Sequence, residues 1–162
     1  MKVVIAEKPS VARDLARVMG AKEVKDGYIA GNGYAFTYAF GHLVQLCTPQ
    51  AYGFHNWSMK NLPIIPAQFA LEVKKVRKDG KQMDDAGALK QLNTIKWLLE
   101  QAEEIIVATD AGREGELIFR NIYYYLKSNI PFKRLWISSQ TDKAIKEGFA
   151  NLKEGTEYDS LY

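Results

Sequence analysis

The sequence predicts an α/β protein: a largely parallel, Rossmann-like sheet of four or five strands with helices on both faces. Two observations carry that reading. Val3–Ala6 and Ile105–Ala108 are short, apolar, mostly β-branched runs, the pattern of strands covered on both faces. After each, the apolar spacing lengthens to three and four residues, the period of an amphipathic helix. Strands alternating with helices are joined by right-handed crossovers, which makes neighbouring strands parallel.

Along the chain, Glu7 closes the first strand, and Pro9 and Ser10 open a helix with Val11, Leu15 and Val18 on one face and Gly20 at its end. Tyr28–Ala30 and Tyr34–Phe40 flank Gly31-Asn32-Gly33 and read as a hairpin. From Thr48 to Pro66, three prolines with aromatic residues between them mark an ordered but irregular excursion, and Phe69–Val73 is a candidate edge strand. Residues 84 to 102 space Leu89, Leu92, Ile95, Leu98 and Leu99 as a helix. The second apolar strand leads into ATDAGREGELIFR, residues 108 to 120, where Leu117, Ile118, Ile122, Tyr125 and Leu126 resume the helical period. Leu135–Ile137 reads as a further strand and Thr141–Leu152 as a last helix with Ala144, Ile145, Phe149 and Leu152 inward. Residues 154–162 show no periodicity and are read as the start of a linker into a following domain, leaving 1–153 as the folded unit.

Composition narrows the function classes. The chain is 47% hydrophobic and 25% charged, ordinary for a globular domain of 162 residues. A net charge of +3 permits an anionic partner without requiring one. The single cysteine, Cys47, excludes an intrachain disulfide and fits a reducing, cytoplasmic setting. No stretch reaches the roughly 18 apolar residues of a membrane span.

Charge concentrates at Asp110, Arg113, Glu114 and Glu116, directly after a buried strand. Gly112 and Gly115 allow a tight turn there. The carboxyl ends of parallel strands are where open α/β sheets keep their ligands, so Glu7, Asp110 and Glu114 are candidates to share one hard cation such as magnesium. Two readings stand at this point. Acids opening a helix also cap it, whereas acids closing two separate strands suit metal-assisted phosphoryl chemistry. No G-x-x-x-x-G-K-[ST] cradle is present, and strand residues follow Gly33 where a dinucleotide fingerprint needs a helix; no nucleotide cofactor is expected. His42 reads as a hydrogen-bonded structural histidine, His55 as surface, and Tyr123-Tyr124-Tyr125 as packing.

Taken together, these stretches resemble the toprim domain, nearest the topoisomerase III branch of the bacterial type IA DNA topoisomerases. The resemblance spans essentially the whole chain. It rests on Val4-Ile5-Ala6-Glu7-Lys8-Pro9-Ser10, on Gly31-Asn32-Gly33 and Gly41-His42-Leu43, on Trp57 through Leu62-Pro63-Ile64-Ile65-Pro66, and on Asp110 through Glu116. One departure is visible: the usual motif D-x-D-R-E-G carries Gly112 in place of its second aspartate.

The resemblance implies a toprim-type fold and an ATP-independent isomerase. A tyrosine attacks single-stranded DNA, the other strand passes, and the break is rejoined. It assigns Glu7 and Lys8 to catalysis, Glu7, Asp110 and Glu114 to Mg²⁺, and Lys8, Trp57, Lys60 and Arg113 to DNA. The nucleophile lies in a later domain of such proteins, so this chain is expected to be an inactive fragment whose partners are single-stranded DNA and the rest of its polypeptide. A small toprim-type nuclease using water, and a phosphate-accepting receiver domain, are the rival readings.

Overall fold

The computed structural model describes residues 1–56 and 58–162. The strands are β1 (Lys2–Ala6), β2 (Glu23–Lys25), β3 (Tyr28–Gly31), β4 (Tyr34–Tyr38), β5 (Val44–Leu46), β6 (Leu71–Val73), β7 (Lys75–Lys78), β8 (Lys81–Asp84), β9 (Glu104–Ala108), β10 (Phe132–Arg134) and β11 (Lys153–Glu154). The helices are α1 (Pro9–Val18), α2 (Ala86–Leu99), α3 (Arg113–Tyr125) and α4 (Asp142–Ala150). Short 3₁₀ turns occupy Pro49–Tyr52, Met59–Asn61 and Gly155–Leu161.

The main sheet has seven strands in the order β11-β10-β9-β1-β4-β3-β2. Its centre is parallel, β10 beside β9 beside β1 beside β4, and its edges are antiparallel. The central strands bury alternate residues on opposite faces. Val3, Ile5, Ala35, Ile105 and Val107 meet Leu92, Ile95 and Leu98 of α2 and Ile118, Phe119 and Ile122 of α3. Val4, Phe36, Ile106 and Ala108 meet Leu15 and Ala16 of α1 and Ile145 of α4. Two apolar layers on one sheet explain why β1 and β9 are uninterrupted apolar runs.

The expected topology holds, with corrections at its margins. The sheet is wider than four or five strands because β2 and β11, short and exposed, extend its edges. β4 stops at Tyr38 rather than Phe40, which takes a positive φ of 38°. Leu71–Val73 does pair, but with β5 in a separate two-stranded sheet rather than along the main edge. The strand expected at Leu135–Ile137 lies at Phe132–Arg134, leaving Leu135 just beyond it with its N–H on the carbonyl of Val107 at 2.9 Å. Residues 155–162 pack rather than fray: Asp159 accepts from Arg120 at 2.6 Å, and the Tyr162 hydroxyl donates to Asn121 at 3.3 Å.

A buried arginine explains the shifted strand. Arg134, 1% exposed, runs its guanidinium under the carboxyl end of β9 and donates to the carbonyls of Val107 (3.1 Å), Thr109 (2.8 Å) and Asp110 (2.8 Å). Its counter-charge is Glu116, also 1% exposed, whose Oε2 lies 3.2 Å from Arg134 Nε without the alignment of a hydrogen bond. The other Glu116 oxygen accepts from Arg120 Nε at 2.7 Å. Burial pulls the Arg134 guanidinium below its ordinary value, opposed first by the Glu116 charge. For Arg120 burial acts in the same sense, but bonds to Glu116, Asp159 and Tyr124 outweigh it and hold the group above its ordinary value.

Removing Arg134 leaves Glu116 to Arg120 alone and deprives the carbonyls of Val107, Thr109 and Asp110 of a buried donor, a loss of roughly 3–5 kcal/mol. Arg134→Met is therefore expected to lower the unfolding free energy by about that amount in urea denaturation. A loss within about 0.5 kcal/mol, the range of an ordinary surface substitution, would show that the guanidinium does not hold the strand end.

Candidate active site

Four segments converge at the carboxyl edge of the sheet. The β1–β9 register sets Ala6 beside Ala108, so the residues that follow, Glu7-Lys8 and Thr109-Asp110, emerge side by side. The loop after β4 joins them, with Ala39 N–H on the carbonyl of Ala6 (2.9 Å) and Gly41 N–H on that of Glu7 (3.3 Å). The first turn of α3 brings Glu114.

Glu7 is the least exposed of the four charged groups, and its carboxylate accepts the backbone N–H of Asp110 at 3.2 Å. Lys8 Nζ lies 3.0 Å from Asp110 Oδ2 and 4.0 Å from Glu7 Oε1. The bond and charge of Asp110, and then the charge of Glu7, hold the ammonium above its ordinary value. Lys8 is also the N-cap residue of α1, with no acid in that helix's first turn. A cation at a helix N-terminus opposes the macrodipole, so Lys8 is held there by its carboxylates and not by helix electrostatics.

Glu114 is turned to another partner. Its Oε1 meets His42 Nε2 at 2.5 Å, with the imidazole half-buried and the carboxylate exposed. The sequence pattern treated His42 as structural; its place after Gly41, whose φ of 88° swings the loop toward α3, puts it in the site instead. Arg113 is exposed at the start of α3, and Lys60 is exposed in the excursion turn. Trp57 lies outside the described residues. The structure thus gathers Glu7, Lys8 and Asp110, pairs Glu114 with His42, and leaves Lys60 on a different segment.

Among the described residues, no three of His, Cys, Asp and Glu stand close enough to ligate one ion. The donors are nonetheless all hard oxygens. Magnesium is commonly held by one or two carboxylates, with water and substrate phosphate completing its shell. The Glu7–Asp110 pair and the nearby first turn of α3, where Glu114 is held by His42, offer carboxylates of that kind and do not form an all-protein cage.

The two glycines of the acidic motif differ. A Cβ on Gly115 would stand 2.0 Å from the carbonyl oxygen of Asp110, the same oxygen that accepts from Arg134. Thr109 Oγ1 adds a bond to the Gly115 carbonyl at 2.7 Å. Gly115 is there because α3 and the strand end touch through backbone. Gly112 has an extended φ of 167°, and a Cβ would meet nothing within 4 Å. An aspartate at 112 therefore fits without strain. The hydroxyls of Tyr52, Tyr123, Tyr124 and Tyr162 are engaged with Ala70, Ile130, Arg120 and Asn121 respectively, away from Glu7 and Asp110.

The sequence matches the family described as "Toprim domain" over residues 2–140. It is 51% identical to a protein named DNA topoisomerase 3 from Bacillus cereus and 50% identical to one so named from Bacillus subtilis, each over 162 residues. A third, from Shouchella clausii, is 46% identical. Each match covers 99% of this chain and 21% of the relative, so the chain spans about a fifth of their length. Among solved structures, full-length topoisomerase I from Thermotoga maritima matches 94% of the chain with a TM-score of 0.56 at 20% identity, a likeness of fold.

Gly115→Ala is expected to cost about 2 kcal/mol or more in thermal or urea unfolding, because backbone must move. Gly112→Ala and Gly112→Asp should fall within about 0.5 kcal/mol of the parent. Equal costs at both positions would refute the contact between Gly115 and Asp110.

Proposed function

The chain belongs to the Toprim domain family, and on that premise we propose that it is the metal-binding part of a type IA DNA topoisomerase of the topoisomerase III kind. In this reading it acts on single-stranded DNA with Mg²⁺ and without a nucleotide cofactor, in the cytoplasm, and a tyrosine elsewhere in a longer polypeptide supplies the nucleophile. The observation that carries the proposal is the junction of Glu7, Lys8 and Asp110 across the β1–β9 pair. The relatives' shared name supports it.

Each residue has a role that its surroundings suit. Glu7 is the most sheltered carboxylate, and one of its oxygens is fixed by the Asp110 N–H. Its other oxygen, 4.0 Å from Lys8 Nζ, takes no hydrogen bond from that ammonium and gives a proton to a departing 3′ oxygen, taking it back when the strand is rejoined. Lys8, 55% exposed at its side chain, has its ammonium at the mouth of the site, where it meets the charge that builds on a scissile phosphate. Asp110 and Glu114 would hold Mg²⁺, which when bound would anchor a backbone phosphate and offset its charge. For Glu114 to take part it must exchange His42 for the ion, so His42 sets how readily that carboxylate is released. Arg113, exposed beside Glu114, is placed to touch DNA. Trp57 and Lys60 complete the proposed DNA contacts through stacking and charge.

The test uses a full-length protein carrying this domain. Glu7→Gln keeps the shape and the bond from Asp110 N–H but removes the transferable proton, so relaxation of negatively supercoiled DNA should fall by at least about 100-fold while single-strand affinity holds. Undiminished relaxation would remove Glu7 from the chemistry. The 162-residue chain alone should form no covalent adduct with DNA; an adduct would mean that one of its own tyrosines is the nucleophile.

A further inference from the structure

The strongest concentration of positive charge on the molecule lies outside the site. Residues 74–81, Lys-Lys-Val-Arg-Lys-Asp-Gly-Lys, contain five cations and one anion, a surplus of four, while the whole chain carries +3. Everything else therefore nets one negative charge. These residues build the β7–β8 hairpin, a two-stranded ribbon separate from the main sheet. Asp79 and Gly80 turn it with φ of 49° and 79°, the positive values that a two-residue hairpin turn needs.

Three features set the ribbon apart from an ordinary solvated surface. Arg77, Lys78 and Lys81 are exposed, and none has an ion-pair partner among the described residues, whereas Lys75 at the root is paired with Asp84 (2.6 Å) and Glu72 (3.6 Å). The register sets Lys78 directly opposite Lys81, and like charges facing each other across strands destabilise a hairpin. An isolated two-stranded ribbon is marginal already, so this repulsion serves no folding purpose. On the same face, Val76 lies opposite Met83, both exposed, which gives two cations beside an apolar strip.

The root of the ribbon is tied to the site. Lys74 donates its N–H to Leu43 (2.9 Å) and Lys75 its N–H to the Gln45 side chain (3.4 Å), on the segment that begins with His42. Asp85, which closes the ribbon, caps α2 through the N–H groups of Gly87 and Ala88. Both ends are anchored while the tip stands in solvent.

We propose that the β7–β8 ribbon is a second DNA grip, holding a phosphodiester backbone with Arg77, Lys78 and Lys81 apart from the carboxylate site. This rests on the DNA reading above. The contact is electrostatic and independent of sequence, as expected of ammonium and guanidinium groups on phosphates, with Val76 and Met83 lying against sugar or base.

The experiment is fluorescence anisotropy of a labelled single-stranded oligonucleotide with the 162-residue chain, titrated from about 20 mM to 200 mM salt. Replacing Arg77, Lys78 and Lys81 together by Ala should weaken binding by at least about tenfold at the lowest salt and flatten the log–log salt slope by about two. Lys78→Glu makes a cross-strand attraction with Lys81, so its Tm should hold or rise while DNA binding falls; this separates a lost contact from a damaged fold. Unchanged binding in the triple variant, no binding by the parent chain at the lowest salt, or stronger competition by RNA of the same sequence would each overturn the ribbon's assignment. The topoisomerase reading is judged separately, by the Glu7→Gln relaxation result.

Discussion

The architecture of the site depends on one buried cation. Arg134 draws the carbonyls of Val107, Thr109 and Asp110 to one side of β9, and Glu116 neutralises it from the first turn of α3. Backbone at a strand end would otherwise be solvated and mobile. Fixed in this way, the Asp110 carbonyl points inward and its N–H is offered to Glu7 across the sheet. The carboxylate edge is therefore built on main chain, and only its tips are side chains. A buried ion pair is an expensive way to stabilise a fold, since well-packed apolar residues often serve as well. Its use beneath Asp110 is best understood as positioning.

The same constraint divides the acidic motif into two functions. Glu116 faces inward and belongs to the frame, with Arg120 as its second partner and Asp159 carrying the network to the last residues of the chain. Asp110 and Glu114 face outward, with Lys8 and His42 as their partners. Gly115 lets the frame and the outward tips approach within backbone contact. Gly112 sits where space is open, so the missing aspartate of the family pattern changes charge and not shape.

Much of this was legible in the sequence, for a physical reason in each case. β1 and β9 are buried on both faces and so carry an unbroken apolar signal, and the acids that close them meet at the carboxyl edge of the sheet. β2, β8 and β11 are polar and exposed, with no alternation to read. For the β7–β8 ribbon, Asp79-Gly80 was the available signal, a turn pair between two polar runs. β10 was misplaced because Arg134 reads as a surface residue while Leu135 and Ile137 read as a strand. The i, i+4 spacing of Glu116 and Arg120 was visible, but spacing alone does not tell a buried pair from an exposed one. His42 escaped because its partner is distant in sequence and only the turn at Gly41 brings them together.

The central proposal is that the carboxylates of Asp110 and Glu114, with Glu7 joined to the Asp110 backbone, receive one divalent ion at this edge. Mn²⁺, a paramagnetic substitute for Mg²⁺, reports it directly when titrated into the isotope-labelled chain and followed by amide NMR. Selective broadening at residues 7–8, 41–42 and 110–116, with the signals of residues 74–84 unaffected, is the expected result. Broadening centred elsewhere, or near residues 110–116 while residues 7–8 stay sharp, would contradict it.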